Sequence, residues 1–300
     1  MPELPEVETV RSVLARDIVG KKIKSAAVTN GRVVRRHKTA KEFRERVEGR
    51  TIKSVSRLGK YLIMGLDDGA KMVVHLGMSG QLLRAKSPKD VKPKHTHVVF
   101  TFTQGGELRY VDPRTFGELF VSTPSPPGAP AEISKYARLS IGGEGLTTRA
   151  NVPELAHLGI DFLEDQLGWD RFATILRSRT TALKAVLTDQ DIIAGIGNIY
   201  ADETLYGAGV RYDRSAESLS TIEIRRLHRS ITEILADAIK HRGSTLVDEQ
   251  FVDPEGRPGG YQQFHQVYNR EGQVCGQCRS LIQRVTVRQR STFFCEKCQN

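Results

Sequence analysis

All four cysteines of the 300-residue chain lie near its C-terminus, as Cys275, Cys278, Cys295 and Cys298. Two C-x2-C pairs sixteen residues apart have the ligand spacing of a four-thiolate zinc site. Each pair turns two sulfurs toward one metal, and the intervening SLIQRVTVRQRSTFF alternates like a β-hairpin. Two disulfides are the competing reading, disfavoured in a cytosolic chain. Redox chemistry is disfavoured as well, because the helix expected after a redox C-x2-C is missing. Four thiolates leave no open position for water or substrate, so the expected Zn2+ is structural and stiffens a hairpin too small to hold a core. The same hairpin carries Arg284, Arg288 and Arg290 with no acidic residue among them. At the other end the chain opens MPELPEVETV. Pro5 suits the first turn of a helix, and Glu6 and Glu8 favour its positive end. By itself this is a helix-entry sequence; whether the terminus does chemistry depends on the rest of the chain.

Lys and Arg number 45 against 35 Asp and Glu, for a net charge of +10. Such a surface attracts polyanions, nucleic acid foremost, although charge alone is equally consistent with solubility. The basic hairpin tips the choice toward nucleic acid. No apolar run reaches the length of a membrane span and no signal peptide precedes the first helix, so a cytoplasmic protein is expected.

Positioning these groups requires two kinds of architecture. Val7, Val10, Leu14 and Ile18 follow helical spacing, with Gly20 as the stop. KKIKSAAVT, TIKSVSRL, KYLIMGL, KMVVHLGM, HVVFTFT and ELRYVDP then read as short strands separated by turn signals such as DDG and QGG. One helix followed by two packed antiparallel sheets is the predicted first domain. VSTPSPPGAPAE, residues 121–132, marks a linker or exposed loop. Beyond it the pattern is helical: Trp169 to Arg177, TALKAVLTDQ, NIYADETLYGAG after the glycine-rich AGIG, and a long helix that starts at a Ser220/Glu223 capping box. Ile224, Leu227, Ile231, Ile234 and Ala238 form its predicted buried face, and Gly243 its end. Residues 244–260 read as a mobile, functional loop.

PELPEVE, LGKYL at 58–62, HLGMSG at 75–80, DPRTFG at 112–117, TDQDIIAGIGNIYADE at 188–203 and the zinc hairpin with QRSTFFC occur in this order. The ordered set resembles the formamidopyrimidine-DNA glycosylase (Fpg/MutM) family over nearly the whole chain. The resemblance implies an α+β, multidomain fold: an N-terminal β-sandwich catalytic domain (1–135), a helix-two-turn-helix DNA-binding domain (136–260) with a lesion-covering loop near 244–260, and a zinc finger (261–300). It implies a bifunctional glycosylase and abasic-site lyase of base excision repair, acting as a monomer on double-stranded DNA that contains oxidised purines such as 8-oxoguanine and formamidopyrimidines. A related glycosylase for oxidised pyrimidines is the near alternative; PELPE rather than PEGPE speaks for the purine enzyme. A non-catalytic zinc-ribbon protein that senses damaged DNA is the distant one.

In the resembling family Met1 would be removed and Pro2 would attack the sugar as a secondary amine, forming a Schiff base. An α-amino group has a reference pKa of about 8, so a useful neutral fraction exists near neutral pH. The resemblance makes Glu3 the proton donor and Glu6 a supporting residue, assigns Lys60 to β-elimination and Arg290 to δ-elimination, and makes Met78, Arg114 and Phe116 the residues that fill the duplex when a base is flipped out. His95, Arg179 and Asn198 match DNA-contact positions, and Glu203 either touches the flipped nucleotide or holds a turn. The chain departs from the family at Thr115, where a second arginine is usual, which puts selectivity for the opposite base in question.

Overall fold

The computed structural model describes residues 2–123, 132–246 and 250–300. The chain divides into two compact units: Met1–Pro130 with Ala150–Glu154 and His241–Gly260, and Ala131–Arg149 with Leu155–Lys240 and Tyr261–Asn300.

The first unit is a β-sandwich with a leading helix, α1 (Leu4–Asp17). One sheet has the order β1 (Ile23–Val28), β6 (Thr96–Phe102), β7 (Glu107–Val111), β5 (Gln81–Ala85). The other has the order β2 (Ile52–Leu58), β3 (Tyr61–Leu66), β4 (Lys71–His75), β8 (Glu118–Ser122). Every pairing in both sheets is antiparallel. Val7, Val10, Leu14 and Ile18 are all buried, as their helical spacing predicts, and join Leu62, Met64 and Val74 of one sheet with Phe100, Leu108 and Tyr110 of the other in one core. The helix ends at Asp17, and Gly20, at φ 85°, turns the chain into β1.

A second helix, α2 (Ala40–Val47), interrupts what the sequence presents as strands only. Its apolar contribution is Phe43 and Val47, one turn apart, too few to make a visible stripe. Its real signal is the cap: the Thr39 hydroxyl accepts the Glu42 N–H at 3.1 Å. Strands β5 and β8 were not among the predicted segments either. Most of the expected linker at 121–132 lies outside the described residues.

Residues 241–246 and 250–260 belong with the sandwich, whereas the sequence groups the loop at 244–260 with the helical domain. Backbone chemistry explains the difference. The Arg84 N–H, on edge strand β5, donates to Pro254 O at 2.8 Å, and the Gln81 amide donates to Gln250 O at 2.8 Å. The loop base is closed by the Thr245 hydroxyl, which donates to Phe251 O and accepts the Gly259 N–H. It is closed again by Asp253, whose carboxylate accepts from Arg242 and Arg257. The residues between 246 and 250 lie outside the description.

The second unit is built from α4 (Trp169–Arg177), α5 (Leu183–Thr188), α6 (Asn198–Ala208) and α7 (Thr221–Lys240), after the short α3 (Gly145–Asn151). A small parallel pair, β9 (Ile160–Asp161) and β10 (Ile193–Ala194), and the terminal hairpin, β11 (Gln283–Val287) and β12 (Arg290–Phe294), complete it. The capping box at the start of α7 forms as predicted, with Ser220 N–H to Glu223 at 2.8 Å and Glu223 N–H to Ser220 Oγ at 3.3 Å. Leu235, not Ile234, completes its buried face. Among the described residues no helix is long and apolar enough to cross a membrane.

Candidate active site and nucleic-acid interface

The first residues of the chain are held, not frayed. Pro2 and Glu3 are buried, and Glu3 is the N-cap of α1 in a reciprocal capping box with Glu6. Glu6 Oε2 accepts the Glu3 N–H at 2.8 Å, while Oε1 accepts the Ser244 N–H at 2.6 Å. One carboxylate thus ties the chain start to the base of the loop at 241–260. Gly243, at φ 72°, makes the approach possible, since a Cβ there would stand 2.6 Å from Glu6 Oε1.

Lys60 occupies the tight turn between β2 and β3 and is itself buried. Its position is fixed by a residue that sequence reasoning missed. Arg57, 1% exposed, donates from Nε to Glu8 of α1 at 3.2 Å and from Nη1 to the Gly59 carbonyl at 3.0 Å. A buried guanidinium needs such partners, and here they link the leading helix to the turn that carries Lys60. The signal was an arginine within the apolar pattern of IKSVSRL. His75, tilted against Tyr61 with ring centroids 4.6 Å apart, is pushed down to about 4 by burial, with Lys60, Arg35 and Arg36 acting in the same direction and Glu118 opposing them. The imidazole beside Lys60 is therefore neutral at physiological pH.

Met78, Arg114 and Phe116 stand on two adjoining loops of the same unit. All three are exposed, and the Arg114 guanidinium lies 5.1 Å from the Phe116 ring centre. Their stems are rigid. Asp112, with no exposed surface, accepts Ser79 Oγ at 2.6 Å, Tyr110 OH at 3.1 Å, Arg114 N–H at 3.2 Å and Gly117 N–H at 2.9 Å. Backbone meets backbone between the loops: a Cβ on Gly77 would come within 2.5 Å of Gly117 N, and one on Gly117 within 2.6 Å of His75 O. Exposed apolar side chains on a fixed, glycine-packed stem suit a wedge between stacked bases. His95 is exposed, and its carbonyl accepts the Asp112 N–H at 3.0 Å, so the candidate phosphate contact is joined to this loop.

In the second unit Asn198 is the first residue of α6, and its Nδ2 donates to Ser291 O at 2.8 Å, next to Arg290. The helix start and the hairpin arginine are thus brought together. Arg290 itself is exposed. Lys184 and Asp202, which sequence reasoning also missed, fasten the hairpin from below. Lys184 Nζ lies 2.6 Å from Asp202 and donates to Thr292 Oγ1 at 2.8 Å, and Asp202 accepts the Phe293 N–H at 2.9 Å. Burial pushes the Asp202 carboxyl up to about 7 against the pull of Lys184. Glu203, 1% exposed, accepts the backbone N–H groups of Gln266, Val267 and Tyr268 between 2.8 and 3.0 Å. This is the turn-holding geometry of the two expected for it. Arg179 lies on the Tyr136 ring, 5.0 Å from its centre.

The sulfurs of Cys275, Cys278, Cys295 and Cys298 lie within 4.8 Å of one another, with 3.8 Å for Cys275–Cys298 and 3.3 Å for Cys278–Cys295. Zn–S bonds of about 2.3 Å in a tetrahedron put sulfurs about 3.8 Å apart. The four cysteines fit one structural zinc. The Tyr206 hydroxyl lies 3.3 Å from Cys275 Sγ. The hairpin reverses at Arg288 and Gln289, at φ 45° and 64°, the two-residue turn that matches strand twist.

Comparison with known proteins covers the chain from end to end. Residues 1–119 match the formamidopyrimidine-DNA glycosylase N-terminal domain, 158–250 the H2TH domain of the same enzymes, and 272–300 the zinc finger found in FPG and IleRS. The chain is 37% identical to the formamidopyrimidine-DNA glycosylase of Pelotomaculum thermopropionicum, covering all of this chain and 99% of that one. It is 36% identical to the enzyme of Halalkalibacterium halodurans, covering 100% of each. The Lactococcus lactis Fpg in complex with DNA containing an abasic site superposes with a TM-score of 0.81 at 34% identity over 99% of both chains. The MutM (Fpg) protein of Thermus thermophilus gives 0.81 at 36% identity over 99% of this chain and 98% of its own. With its sandwich, its helical unit and its zinc hairpin each matched in order, the chain belongs to the formamidopyrimidine-DNA glycosylase family of DNA-repair enzymes, which act as glycosylase and abasic-site lyase.

Proposed function

We propose that the protein excises oxidised purines, 8-oxoguanine and ring-opened formamidopyrimidines, from double-stranded DNA through a Schiff base on Pro2. The observation that carries the reading is the buried chain start, with Glu6 fixing the Glu3 backbone at 2.8 Å beside the nucleophile. With Met1 removed, the Pro2 nitrogen is a secondary amine at the positive end of α1, and the helix dipole favours its neutral form. Holding it in place removes the entropy that a frayed terminus would lose on attack.

The steps follow from these groups. The Pro2 nitrogen bonds to C1′ of the flipped nucleotide as the glycosidic bond breaks; the electron pair of that bond leaves with the base, which takes up the proton that the Pro2 nitrogen gives up. Glu3, as the acid, supplies the proton to the sugar ring oxygen, which opens the ring and leaves a positively charged iminium. That charge acidifies the C2′ proton. Its loss breaks the C3′–O bond, and a further elimination breaks the C5′–O bond, so both phosphates depart with their bonding electrons. Lys60 and Arg290 serve these two eliminations as cations for the departing phosphates. Met78, Arg114 and Phe116 fill the vacated duplex, which offsets part of the few kcal/mol lost on flipping. Zinc holds the hairpin and takes no part in bond making.

Borohydride trapping tests the proposal. Mixed with a duplex containing 8-oxoguanine, the processed enzyme should give a covalent adduct that maps to Pro2 by mass spectrometry. A form blocked by an uncleaved N-terminal extension should give none. Equal trapping by the blocked form overturns the assignment. A panel with an oxidised pyrimidine in the same duplex decides the substrate class.

A further inference from the structure

The mechanism leaves one strongly charged element unused. The segment KSPKDVKPKH, residues 86–95, joins β5 to β6 with four lysines and one aspartate. None of its residues is buried, and Val91 is 90% exposed. A segment with no core of its own should be loose, yet this one is tethered from within.

Arg109, on β7 and 2% exposed, reaches under it. Its guanidinium donates to Val91 O at 2.9 Å, Asp90 O at 3.0 Å and Ser87 O at 3.4 Å, while Nε donates to Glu107 at 2.8 Å. Residues 87–90 close into a turn through Asp90 N–H to Ser87 O at 3.0 Å and Ser87 N–H to Asp90 Oδ2 at 3.0 Å. The single acidic side chain is thereby engaged locally, and Lys86, Lys89, Lys92 and Lys94 are left facing solvent. The segment runs directly into His95, whose carbonyl holds Asp112, the residue that fixes the Arg114 and Phe116 loop.

We infer that this lysine arm is a second, sequence-independent DNA-binding element, which engages duplex phosphates beyond those held by the residues of the lesion site. Four cations of one sign on a tethered loop, continuous with the base-reading loop, match the regular charge of a duplex and need no base contact. A solvated surface would have no use for a buried arginine whose donors are taken up in ordering it.

The inference rests on the reading of the protein as a DNA enzyme, and the experiment separates the two. Affinity for an undamaged duplex is measured against salt for the wild type and for a variant carrying Lys86→Gln, Lys89→Gln, Lys92→Gln and Lys94→Gln. All four sites are exposed, so folding is retained, and the melting temperature checks this. Each phosphate contact contributes about 0.9 to the slope of log K against log[salt]. The slope should shallow by about 1.8 or more, up to about 3.6 if all four lysines engage. A smaller change, with a steep wild-type slope, overturns the arm and leaves the enzyme reading intact. Absence of salt-dependent binding by the wild type would instead overturn the DNA reading itself.

Discussion

Replacing Asp112 by alanine should damage the reading loops and spare the nucleophile. Its carboxylate is fully buried and accepts four hydrogen bonds. The Arg114 N–H can turn to water, because Arg114 is exposed. The Gly117 N–H and the Ser79 and Tyr110 hydroxyls are buried and cannot. Leaving a buried donor unpaired costs about 1–3 kcal/mol, and the hydroxyls can rotate to recover part of it. Asp112→Ala is therefore expected to destabilise the first unit by about 3–5 kcal/mol. At about 2–4 °C per kcal/mol for a unit of this size, thermal melting should fall by roughly 10 °C. Asp112→Asn keeps the shape but must set its NH2 against one of two backbone donors, the Gly117 N–H on one side or the Arg114 N–H on the other, so a loss of about 1–3 kcal/mol is expected. Displacing Arg114 and Phe116 by an ångström should slow excision from duplex DNA about 100-fold. Borohydride trapping on a single-stranded abasic oligonucleotide, which has no partner strand to read, should stay within about threefold of wild type, since a factor of three is well under 1 kcal/mol. If the alanine variant loses less than about 1 kcal/mol, or if both substrates suffer equally, the argument that Asp112 acts through the loop stems is wrong.

Two further outcomes are expected. Chelation should release one zinc per chain and abolish tight duplex binding while the first unit keeps its melting transition; binding that survives complete zinc loss would refute the structural role of the hairpin. His75 should make stability depend on pH between about 6.5 and 4, because its folded value is held at about 4. The unfolded chain takes up that proton first, so the contribution is intact above about 6.5 and is lost progressively on acidification, to roughly 3 kcal/mol by pH 4. His75→Gln should flatten that part of a urea-melt profile, and an unchanged slope would show that the imidazole is not desolvated in the folded protein.

Much of this was readable from residue types, and what was not has a physical reason. The apolar spacing of Val7, Val10, Leu14 and Ile18 was visible because a whole helix face is buried. The cysteines were visible because a metal imposes a spacing that few other constraints mimic. The capping box at Ser220 was visible because caps are local. Helix α2 was hidden because two residues, Phe43 and Val47, carry its burial. Arg57, Lys184 and Asp202 were hidden for a different reason. Each is a charge inside an element, which reads as surface until its partner is known, and each partner lies far along the chain. The ties between the loop at 244–260 and β5 are not legible in the sequence, because on the loop's side they are made by the main-chain carbonyls of Gln250 and Pro254, which carry no sequence signature.

The glycine contact between the two reading loops has a bearing on how this protein could diverge. Gly77 and Gly117 admit no side chain, so neither stem can drift without moving the other. Change is then confined to the tips, and Thr115 sits at one of them, at φ 54°, a conformation that a β-branched residue adopts only under constraint. A lineage could exchange tip residues with the anvil beneath them left untouched, and under the role proposed for Arg114 and Phe116 such exchanges would retune which orphaned base is tolerated.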